Sequence, residues 1–315
     1  MSIFKFEPIY KKRVWGGNQF SELFDPKIKK NEKFGDSWNI VDRDEDQSIC
    51  HLGHGEKSSI RKILEKRGFE IMGQKWEKGM RFPILIKWLD CQERLSLQVH
   101  PPAKLAEKLG SEPKTENWYV VRCSEDSGRF LGFNQRTSKN ELQRALENSR
   151  AESLCHRIKS CPNDSVLVES GRIHAIDAGN LILEIQQNSD STYRVYDWGR
   201  IGLDGRPRDL HVKESLESIK FNDIKPSSIK TSNEYGVTTI ADCKHFRIRR
   251  LNLKKNSHYK IKDPSIECAI LSPFLGKSFC GNQLLEPGIS YISHYKSACK
   301  IASHEDCCML ITDRF

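Results

Sequence analysis

Residues 95–100 read Leu95-Ser96-Leu97-Gln98-Val99-His100, an unbroken alternation of apolar and polar side chains. Successive side chains of a β-strand point to opposite faces. A strand here would therefore turn Leu95, Leu97 and Val99 toward a core. It would aim Gln98 and His100 together into the space on its other face. The stretch predicts a half-buried strand that carries two potential metal ligands.

Most of the sequence around this stretch also has the pattern of strands. Residues 82–89 form the most apolar segment, and the short polar turn that follows predicts a hairpin with 95–100. Further runs rich in β-branched and aromatic residues occur at 118–122, 165–168, 181–187 and 192–197. Many short strands with turns at close intervals predict a mainly β fold, either a sandwich or a barrel.

Three helical segments are predicted among these strands. Residues 57–66 and 103–109 are rich in helix-forming residues, and residues 138–158 give the clearest signal. Ser138 can serve as the N-cap there, with Glu141 three residues on as in a capping box. Apolar residues at helical spacing follow, so we expect an amphipathic helix over the whole of 138–158.

A change in composition divides the chain into two parts. Residues 222–234 are polar, include the sequence Pro-Ser-Ser, and have the character of a linker. A second strand-rich stretch follows the linker. We therefore predict a larger domain over 1–225, which contains the helices, and a smaller β domain over 235–315.

The charge balance is modestly basic. Lys and Arg number 51 against 42 Asp and Glu, which gives a formal net charge of +9. The basic residues are spread along the chain instead of forming one tract, and a spread of this kind favours a solvated surface. A basic balance suits an anionic substrate. We expect no nucleic-acid partner.

The apolar runs and the cysteine spacing indicate the cellular compartment in which the protein is expected to act. No run approaches the roughly 20 apolar residues of a membrane helix, and residues 1–12 lack the apolar core of a secretory signal. The 11 cysteines stand at irregular spacings without a Cys-x-x-Cys pair, which favours free thiols over a disulfide framework or a zinc ribbon. We therefore expect no membrane partner and a cytoplasmic location.

Two further residues can join Gln98 and His100 as metal ligands. Glu116 stands just before a predicted strand, and His174 follows the turn that begins at Gly171. Two imidazoles, a carboxylate and an amide oxygen form a reasonable shell for zinc or a similar divalent ion. The separations match no general zinc signature, however, and a lone histidine in a strand is more often structural. Spacing alone leaves both interpretations open.

A second polar group lies farther along the chain. Glu184 begins a polar alternation over 184–188, Asp190 follows in a turn, and Arg194 stands in a second alternating stretch over 192–196. Such a group can be the solvent face of an antiparallel sheet. It can also line a barrel interior that holds a polar ligand, because an inward-facing arginine is costly to bury unless it meets an anion.

Several blocks of this sequence resemble the type I mannose-6-phosphate isomerases in their short bacterial form. They fall in the family's order and span Trp15 to about His211. They are Trp15-Gly16-Gly17, Gly35-Asp36-Ser37-Trp38, Leu95 to Pro101, Lys114-Thr115-Glu116-Asn117-Trp118-Tyr119, Gly171 to Ile176 and Gln186 to Asp197.

The resemblance implies a fold, an activity and a set of site residues. The fold is a cupin, a double-stranded β-helix of jelly-roll type, with helical insertions and a smaller C-terminal cupin-like domain. The activity is the interconversion of mannose 6-phosphate and fructose 6-phosphate with bound zinc, one ion per chain. By the same resemblance the zinc ligands are His100, Glu116 and His174, with Gln98 as a fourth. Arg194 is the active-site arginine, and Lys114 and Asp190 lie in the substrate pocket.

This activity requires a base and stabilisation of negative charge on the sugar oxygens. Glu184 and Asp190 are candidates for the base, as are a metal-bound water and a histidine. Arg194 and Lys114 would stabilise a cis-enediolate. The phosphate is expected to bind basic residues and Ser37. We expect a monomer that acts on a sugar phosphate. The alternative is a non-catalytic cupin that binds a sugar or sugar phosphate as a regulator.

Overall fold

The computed structural model describes residues 3–53, 55–231, 233–261, 268–294 and 299–315. Its strands, in chain order, are β1 Ile3–Phe6, β2 Ile9–Lys11, β3 Asp36–Ile40, β4 Ile49–Gly53, β5 Glu56–Ser59, β6 Ile84–Cys91, β7 Leu97–Val99, β8 Glu116–Cys123, β9 Gly128–Phe133, β10 Cys155–Lys159, β11 Asp164–Val168, β12 His174–Ile176, β13 Asn180–Gln187, β14 Tyr193–Tyr196, β15 Ile229–Lys230, β16 Gly236–Asp242, β17 Arg247–Leu253, β18 His258–Lys260, β19 Ala269–Leu275, β20 Ser278–Cys280, β21 Gln283–Leu285, β22 Tyr291–Ser293, β23 Lys300–Ser303 and β24 Cys307–Asp313. The helices are α1 Gln19–Leu23, α2 Ile60–Met72, α3 Ala103–Lys108, α4 Lys139–Glu147 and α5 Val212–Ser218, with a 3₁₀ turn at Ala151–Leu154.

These strands form four antiparallel sheets. The first two sheets have the strand orders β10-β9-β12-β7-β14 and β15-β11-β8-β13-β6-β3-β2. The third has the order β16-β17-β24-β19-β22-β1-β4-β5, and the fourth β18-β23-β20-β21. The predicted mainly β fold is therefore confirmed.

Apolar cores lie between successive sheets and place them in a stack. On β8, Trp118 and Val120 pack with Leu131 and Ile176 of the five-stranded sheet, whereas Tyr119 faces the opposite core. That opposite core joins the seven-stranded sheet, helix α2 and the eight-stranded sheet. A further core separates the eight-stranded and four-stranded sheets. Alternation along each central strand supplies side chains to both of its neighbouring cores.

The five-stranded and seven-stranded sheets form the sandwich that holds the candidate site. Strand β7 behaves as its alternation predicts, because Leu97 and Val99 are fully buried in the core on one face. Leu95, just before the strand, is also buried among apolar residues. Gln98 lines a cavity on the other face. His100 follows the strand directly and is buried on the cavity side.

The predicted hairpin between 82–89 and 95–100 is wrong. Strand β6 is a central strand of the seven-stranded sheet, where it pairs with β13 and β3. Strand β7 belongs to the five-stranded sheet, where it pairs with β12 and β14. Residues 92–96 therefore cross from one sheet of the sandwich to the other. Both edges of β6 are taken by partners distant in sequence, which no local turn signal reveals.

Two of the three predicted helices have different bounds from those expected. The capping box at Ser138 and Glu141 is present, but α4 ends at Glu147 instead of continuing to 158. Residues after the 3₁₀ turn form β10, because they pair with β9 at the sheet edge. Likewise residues 56–59 form β5, and Ser59 then caps a helix that runs to Met72. Helix α3 agrees with the prediction over 103–109 to within one residue.

Strand pairing also links the two ends of the chain. Strand β1 pairs with β22 and with β4, so N-terminal residues take part in the sheet formed mainly by the C-terminal region. The predicted linker contains the short edge strand β15, which pairs with β11. The division into domains at about residue 225 stays a prediction. In the described ranges no helix is long and apolar enough to span a membrane.

Candidate metal centre and surrounding cavity

His100, Glu116 and His174 converge at the centre of the sandwich. One ligand atom from each of the three side chains lies within 4.8 Å of the others. Glu116 begins β8 of the seven-stranded sheet, whereas the histidines come from the end of β7 and the start of β12 in the facing sheet. All three residues are at most 1% exposed. The sandwich therefore brings together three candidate ligands that lie far apart in the sequence.

Hydrogen bonds orient both imidazoles for metal binding. The Nδ1 atom of His100 lies 2.9 Å from the carbonyl oxygen of Ser191, and that of His174 lies 2.8 Å from the carbonyl oxygen of Arg172. A carbonyl can only accept, so each Nδ1 carries the proton and each Nε2 keeps its lone pair. Neither Nε2 has a hydrogen-bond partner among the described residues, although both are buried. Metal-bound histidines have this arrangement, and the residues fit a divalent ion.

The turn before His174 depends on a glycine. Gly171 has φ +89°, a conformation that favours glycine, and its N–H donates to the carbonyl oxygen of His100 over 2.8 Å. An added Cβ at Gly171 would lie 2.8 Å from the side chain of Lys220. The turn thus ties the backbones of the two histidine segments together.

The protonation states of the three residues suit metal ligands. Burial lowers the pKa of His100. Burial, followed by the charge of the neighbouring His100, lowers the pKa of His174 to about 3. Both imidazoles are therefore neutral at pH 7. Burial by itself would raise the pKa of Glu116, but Lys114, His100 and His174 together outweigh it and hold that pKa well below the usual value.

The buried Lys114, the partly buried Lys87 and a second glutamate adjoin the three convergent residues. The Nζ atom of Lys114 lies 2.8 Å from Oε2 of Glu116 and 3.7 Å from Oε1 of Glu184. The Nζ atom of Lys87 lies 2.9 Å from the same Oε1 of Glu184. The other carboxylate oxygen of Glu184 accepts a hydrogen bond from Nε1 of Trp118 over 2.9 Å.

This arrangement makes Glu184 more basic than an ordinary carboxylate. Burial and the charge of Glu116 raise the pKa of Glu184, and Lys87 and Lys114 oppose that rise without cancelling it. Burial alone would lower the pKa of Lys87, but Glu184 and other acidic groups raise it overall. A carboxylate with a raised pKa beside ammonium groups can accept and return a proton.

Strand register sets Gln98 and Arg194 beside His174. On β7, Gln98 pairs directly with His174 of β12 on one side and with Arg194 of β14 on the other. Neighbouring strands lie about 4.8 Å apart, so the backbones of His174 and Arg194 are separated by about 10 Å. Imidazole, amide and guanidinium groups therefore follow one another across the sheet.

A cavity of about 560 Å³ opens next to the three convergent residues. Its size is that of a small-molecule binding site. Of the eight residues predicted for the site, Gln98, Lys114, Glu116, Glu184, Asp190 and Arg194 line the cavity, and His100 and His174 contact Glu116 at its base. Asp190 is exposed at the cavity, and Arg194 is half-buried.

Some polar residues of the predicted set do not reach the cavity. Gln186 donates to the carbonyl oxygens of Gln187 and Ser189, and Asn188 donates to those of Asp42 and Phe82. Tyr196 packs against Trp198, because an irregular pairing between Arg194 and Tyr196 interrupts the alternation. Ser37 is buried and donates to Asn39. These side chains bind the surrounding backbone and core.

Four cationic residues that line the cavity were not predicted for the site; they are Lys12, Arg13, Lys87 and Arg208. Lys87 interrupts the most apolar segment of the chain, and burying an unpaired lysine there would be costly. That cost was the available signal for a partner such as Glu184. Arg208 also lines the cavity, from the loop after β14. No local pattern distinguishes it from the neighbouring basic residues.

Comparisons with known proteins agree with this geometry. Residues 3–122 match the family model of the phosphomannose isomerase type I catalytic domain. A mannose-6-phosphate isomerase of Bacillus subtilis is 33% identical over 271 residues, which cover 84% of each chain. A crystal structure of mannose 6-phosphate isomerase from Bacillus subtilis has a TM-score of 0.86 at 27% identity over 99% of both chains.

A more distant structure shares the fold. It is a zinc-bound mannose 6-phosphate isomerase with a TM-score of 0.77 at 17% identity, again over 99% of both chains. The structural neighbours are cupin-like, so the predicted cupin fold is confirmed.

Proposed function

The chain belongs to the type I mannose-6-phosphate isomerases, and from that premise we propose that it interconverts D-mannose 6-phosphate and D-fructose 6-phosphate with one bound zinc ion. The observation that carries the proposal is the buried group of His100, Glu116 and His174 with both Nε2 atoms unpartnered. A cavity of about 560 Å³ beside this group leaves room for a hexose phosphate.

The zinc site is assigned to His100, Glu116 and His174, with Gln98 as a fourth, weaker ligand. When bound, the ion supplies a Lewis acid that polarises a sugar oxygen and helps to hold the cis geometry. Gln98 supports this assignment by its position directly opposite His174 and by its place in the cavity lining. Three strong ligands would hold the ion, and a weak fourth ligand such as Gln98 could give way to the substrate.

Glu184 is the proposed base. It takes the proton from C2 of the aldose and delivers it to C1, while the hydroxyl proton of O2 passes to O1. Together these two transfers convert the aldehyde and C2 alcohol into a C1 alcohol and C2 ketone. Its raised pKa and its place among Lys87, Lys114 and Trp118 support this role. Asp190 remains the second candidate, because it also lines the cavity.

Lys114 and Arg194 are proposed to stabilise the cis-enediolate formed between these two proton transfers. Negative charge develops on the oxygens of C1 and C2 as the C2 proton leaves. Lys114 stands beside the metal centre, and Arg194 lies across β7 from His174. Fixed cationic groups in a buried site lower the energy of such charge without reorganisation.

We further propose that the chain acts as a monomer in the cytoplasm and binds neither membranes nor nucleic acid. The 11 cysteines are free thiols, which suits a reducing compartment. The proposed domains are a catalytic cupin over 1–225 and a C-terminal β domain over 235–315. All eight proposed site residues fall within the first of these.

A coupled assay tests the proposed function. Purified protein is expected to convert mannose 6-phosphate to fructose 6-phosphate, to lose this activity after exhaustive chelation, and to regain it with zinc. Turnover that is unaffected by complete metal removal would contradict the zinc assignment. A protein that binds hexose 6-phosphates but never converts them would be the non-catalytic regulator instead. The combination of a metal centre with Lys114, Glu184 and Arg194 favours the enzyme.

A further inference from the structure

Arg208 is held rigidly in the loop between β14 and α5. Its Nε and Nη2 atoms donate to the two carboxylate oxygens of Asp197 over 2.7 and 2.5 Å. Asp197 is 4% exposed and also accepts a hydrogen bond from Arg200 over 2.8 Å. A guanidinium held at two points by a buried carboxylate loses little further freedom when it binds a ligand.

This arrangement leaves one edge of the Arg208 guanidinium available. The group has five N–H donors in a planar fork, and Asp197 uses only one side of that fork. Among the described residues Nη1 of Arg208 has no hydrogen-bond partner, and the residue lines the catalytic cavity. Arg194 lines the same cavity, and its buried Nε atom also has no partner in the described part of the chain.

The segment that follows Arg208 runs along the edge of β14 that faces away from β7 and the metal centre. Residues 209–211 run beside β14, since the N–H of His211 donates to the carbonyl of Arg194 and Nη1 of Arg194 donates to the carbonyl of Asp209. From His174 the order across the sheet is therefore Gln98, Arg194 and then this segment. In a hexose 6-phosphate the reacting C1 and C2 atoms and the phosphate are likewise at opposite ends.

The charges near Arg208 favour an anion. One carboxylate, Asp197, pairs with two guanidinium groups, those of Arg200 and Arg208. Arg194 adds a third positive charge, and the charge of Asp209 also acts on Arg194. Asp190 and Asp204 also line the cavity, but neither forms an ion pair with Arg194 or Arg208 in the described ranges. A planar fork with a free edge and surplus positive charge is suited to a phosphate.

We propose that Arg208 binds the phosphate group of the hexose 6-phosphate substrate and that Asp197 is its positioning residue. This assignment rests on the proposed function and adds a residue to it. Because the phosphate is unchanged by the reaction, Arg208 contributes equally to substrate and transition-state binding. Its loss therefore raises KM and leaves kcat nearly unchanged.

The test compares Arg208→Gln with Arg206→Gln. Arg206 is exposed in the same loop, does not line the cavity, and carries the same charge, so it is a matched control. For each zinc-loaded variant we would measure KM and kcat for mannose 6-phosphate and the inhibition constant of inorganic phosphate. Arg208→Lys keeps the charge without the fork, and Asp197→Asn releases the fork without removing the charge.

The expected result is a rise of tenfold or more in KM and in the phosphate inhibition constant for Arg208→Gln. The kcat of Arg208→Gln is expected to stay within about threefold of that of the unaltered protein. For Arg206→Gln, KM, kcat and the phosphate inhibition constant should all stay within about twofold of the unaltered protein's values. For Arg208→Lys and Asp197→Asn, KM and the phosphate inhibition constant should lie between those of the unaltered protein and those of Arg208→Gln. The kcat of both variants should be maintained. If phosphate inhibits Arg208→Gln and Arg206→Gln equally, the proposal is overturned; if Arg208→Gln does not fold, the same comparison is made with Arg208→Lys.

Failure of the proposed function can be distinguished from failure of this inference. If the unaltered protein does not convert mannose 6-phosphate, calorimetric titration with inorganic phosphate still reports on Arg208. Weaker phosphate binding in Arg208→Gln than in Arg206→Gln would then support the anion site alone. Equal binding in the two variants would refute it.

Discussion

The Nζ atom of Lys87 lies 2.9 Å from Oε1 of Glu184, and the two residues are directly opposite each other on β6 and β13. Both side chains are almost completely enclosed between the sheets. Each charge would be costly to bury without the other. The pair therefore fixes the Glu184 carboxylate beside the candidate metal centre and compensates its charge there.

Glu184→Gln is expected to lower kcat by about 10²- to 10⁴-fold, because the amide cannot accept the substrate proton. The zinc content should be unchanged, since Glu184 is not among the three proposed strong ligands. Glu169→Gln is a suitable control, because Glu169 is exposed and pairs only with Lys220 among the described residues. If the kcat of Glu184→Gln is within threefold of the parent value, Glu184 is not the base. Asp190 would then be tested in the same way.

Arg194→Ala is expected to lower kcat by at least about 10²-fold, the usual loss when a preorganised charge partner of an oxyanion is removed. Zinc binding should persist, because Arg194 contacts none of the three metal-centre residues in the described structure. The measurement is steady-state kinetics together with metal analysis of the same sample. Loss of zinc along with activity would assign Arg194 a structural role at the metal centre instead.

His100→Ala is expected to lose zinc, with turnover falling to the level of the chelated parent protein. The His100 imidazole supplies one of the two unpartnered Nε2 atoms, and the remaining residues cannot complete a closed shell. Metal analysis after dialysis at a fixed free-zinc concentration checks this. His156→Ala is the control, since His156 stands on edge strand β10 away from the cavity. Full zinc occupancy in His100→Ala would contradict the assignment.

Ser138→Ala is expected to lower the free energy of unfolding by about 0.5–2 kcal/mol, the usual cost of losing an N-cap. The Ser138 side chain accepts from the N–H of Glu141, and the Glu141 carboxylate accepts from the N–H of Ser138. Ser138→Thr keeps a hydroxyl at the N-cap, so its free energy of unfolding should fall by less than that of Ser138→Ala. Urea unfolding measures both variants, and kcat should be the same in each, because α4 lies outside the cavity lining. An unchanged stability in Ser138→Ala would contradict the contribution of the cap.

Asp197→Asn is expected to reduce stability at pH 7 by about 1.5–3 kcal/mol, the range for hydrogen bonds to charged groups. Burial alone would raise the pKa of Asp197, but the hydrogen bonds from Arg208 and Arg200 lower it overall. Because the pKa of Asp197 is lower in the folded protein than in the unfolded chain, its ionised carboxylate stabilises the fold at pH values above about 3.9, the pKa of an unfolded aspartate. This contribution is lost as the pH falls through the pKa of Asp197 in the folded protein. Urea unfolding measured from pH 7 to pH 3 should therefore show the free energies of unfolding of Asp197→Asn and of the unaltered protein converging as the pH becomes acidic. A difference that is constant with pH would show that Asp197 acts without its charge.

Local patterns determined which way several side chains near the candidate site face, whereas the family resemblance supplied their expected roles. Alternation at 95–100 separates Leu97 and Val99, which are buried, from Gln98, which lines the cavity. The two-residue spacing of Lys114 and Glu116 places both on one face, and their side chains are paired. The capping box likewise marks the start of α4 at the correct residue. These features depend on the geometry of a few consecutive residues, so a short stretch of sequence contains them completely.

Tertiary structure alone decided which segments became neighbours. It placed β7 opposite β6 across the sandwich instead of beside it, and it ended α4 early because Cys155–Lys159 pairs with β9. It also gave Lys87 its partner Glu184 and gave Arg208 its partner Asp197. Strand pairing and ion pairing between distant residues depend on which arrangement buries the most apolar surface while leaving no charge unpaired. That balance belongs to the whole chain, which is why the family resemblance could point to His100, Glu116 and His174, which do converge, whereas Lys87 and Arg208 at the cavity were not predicted.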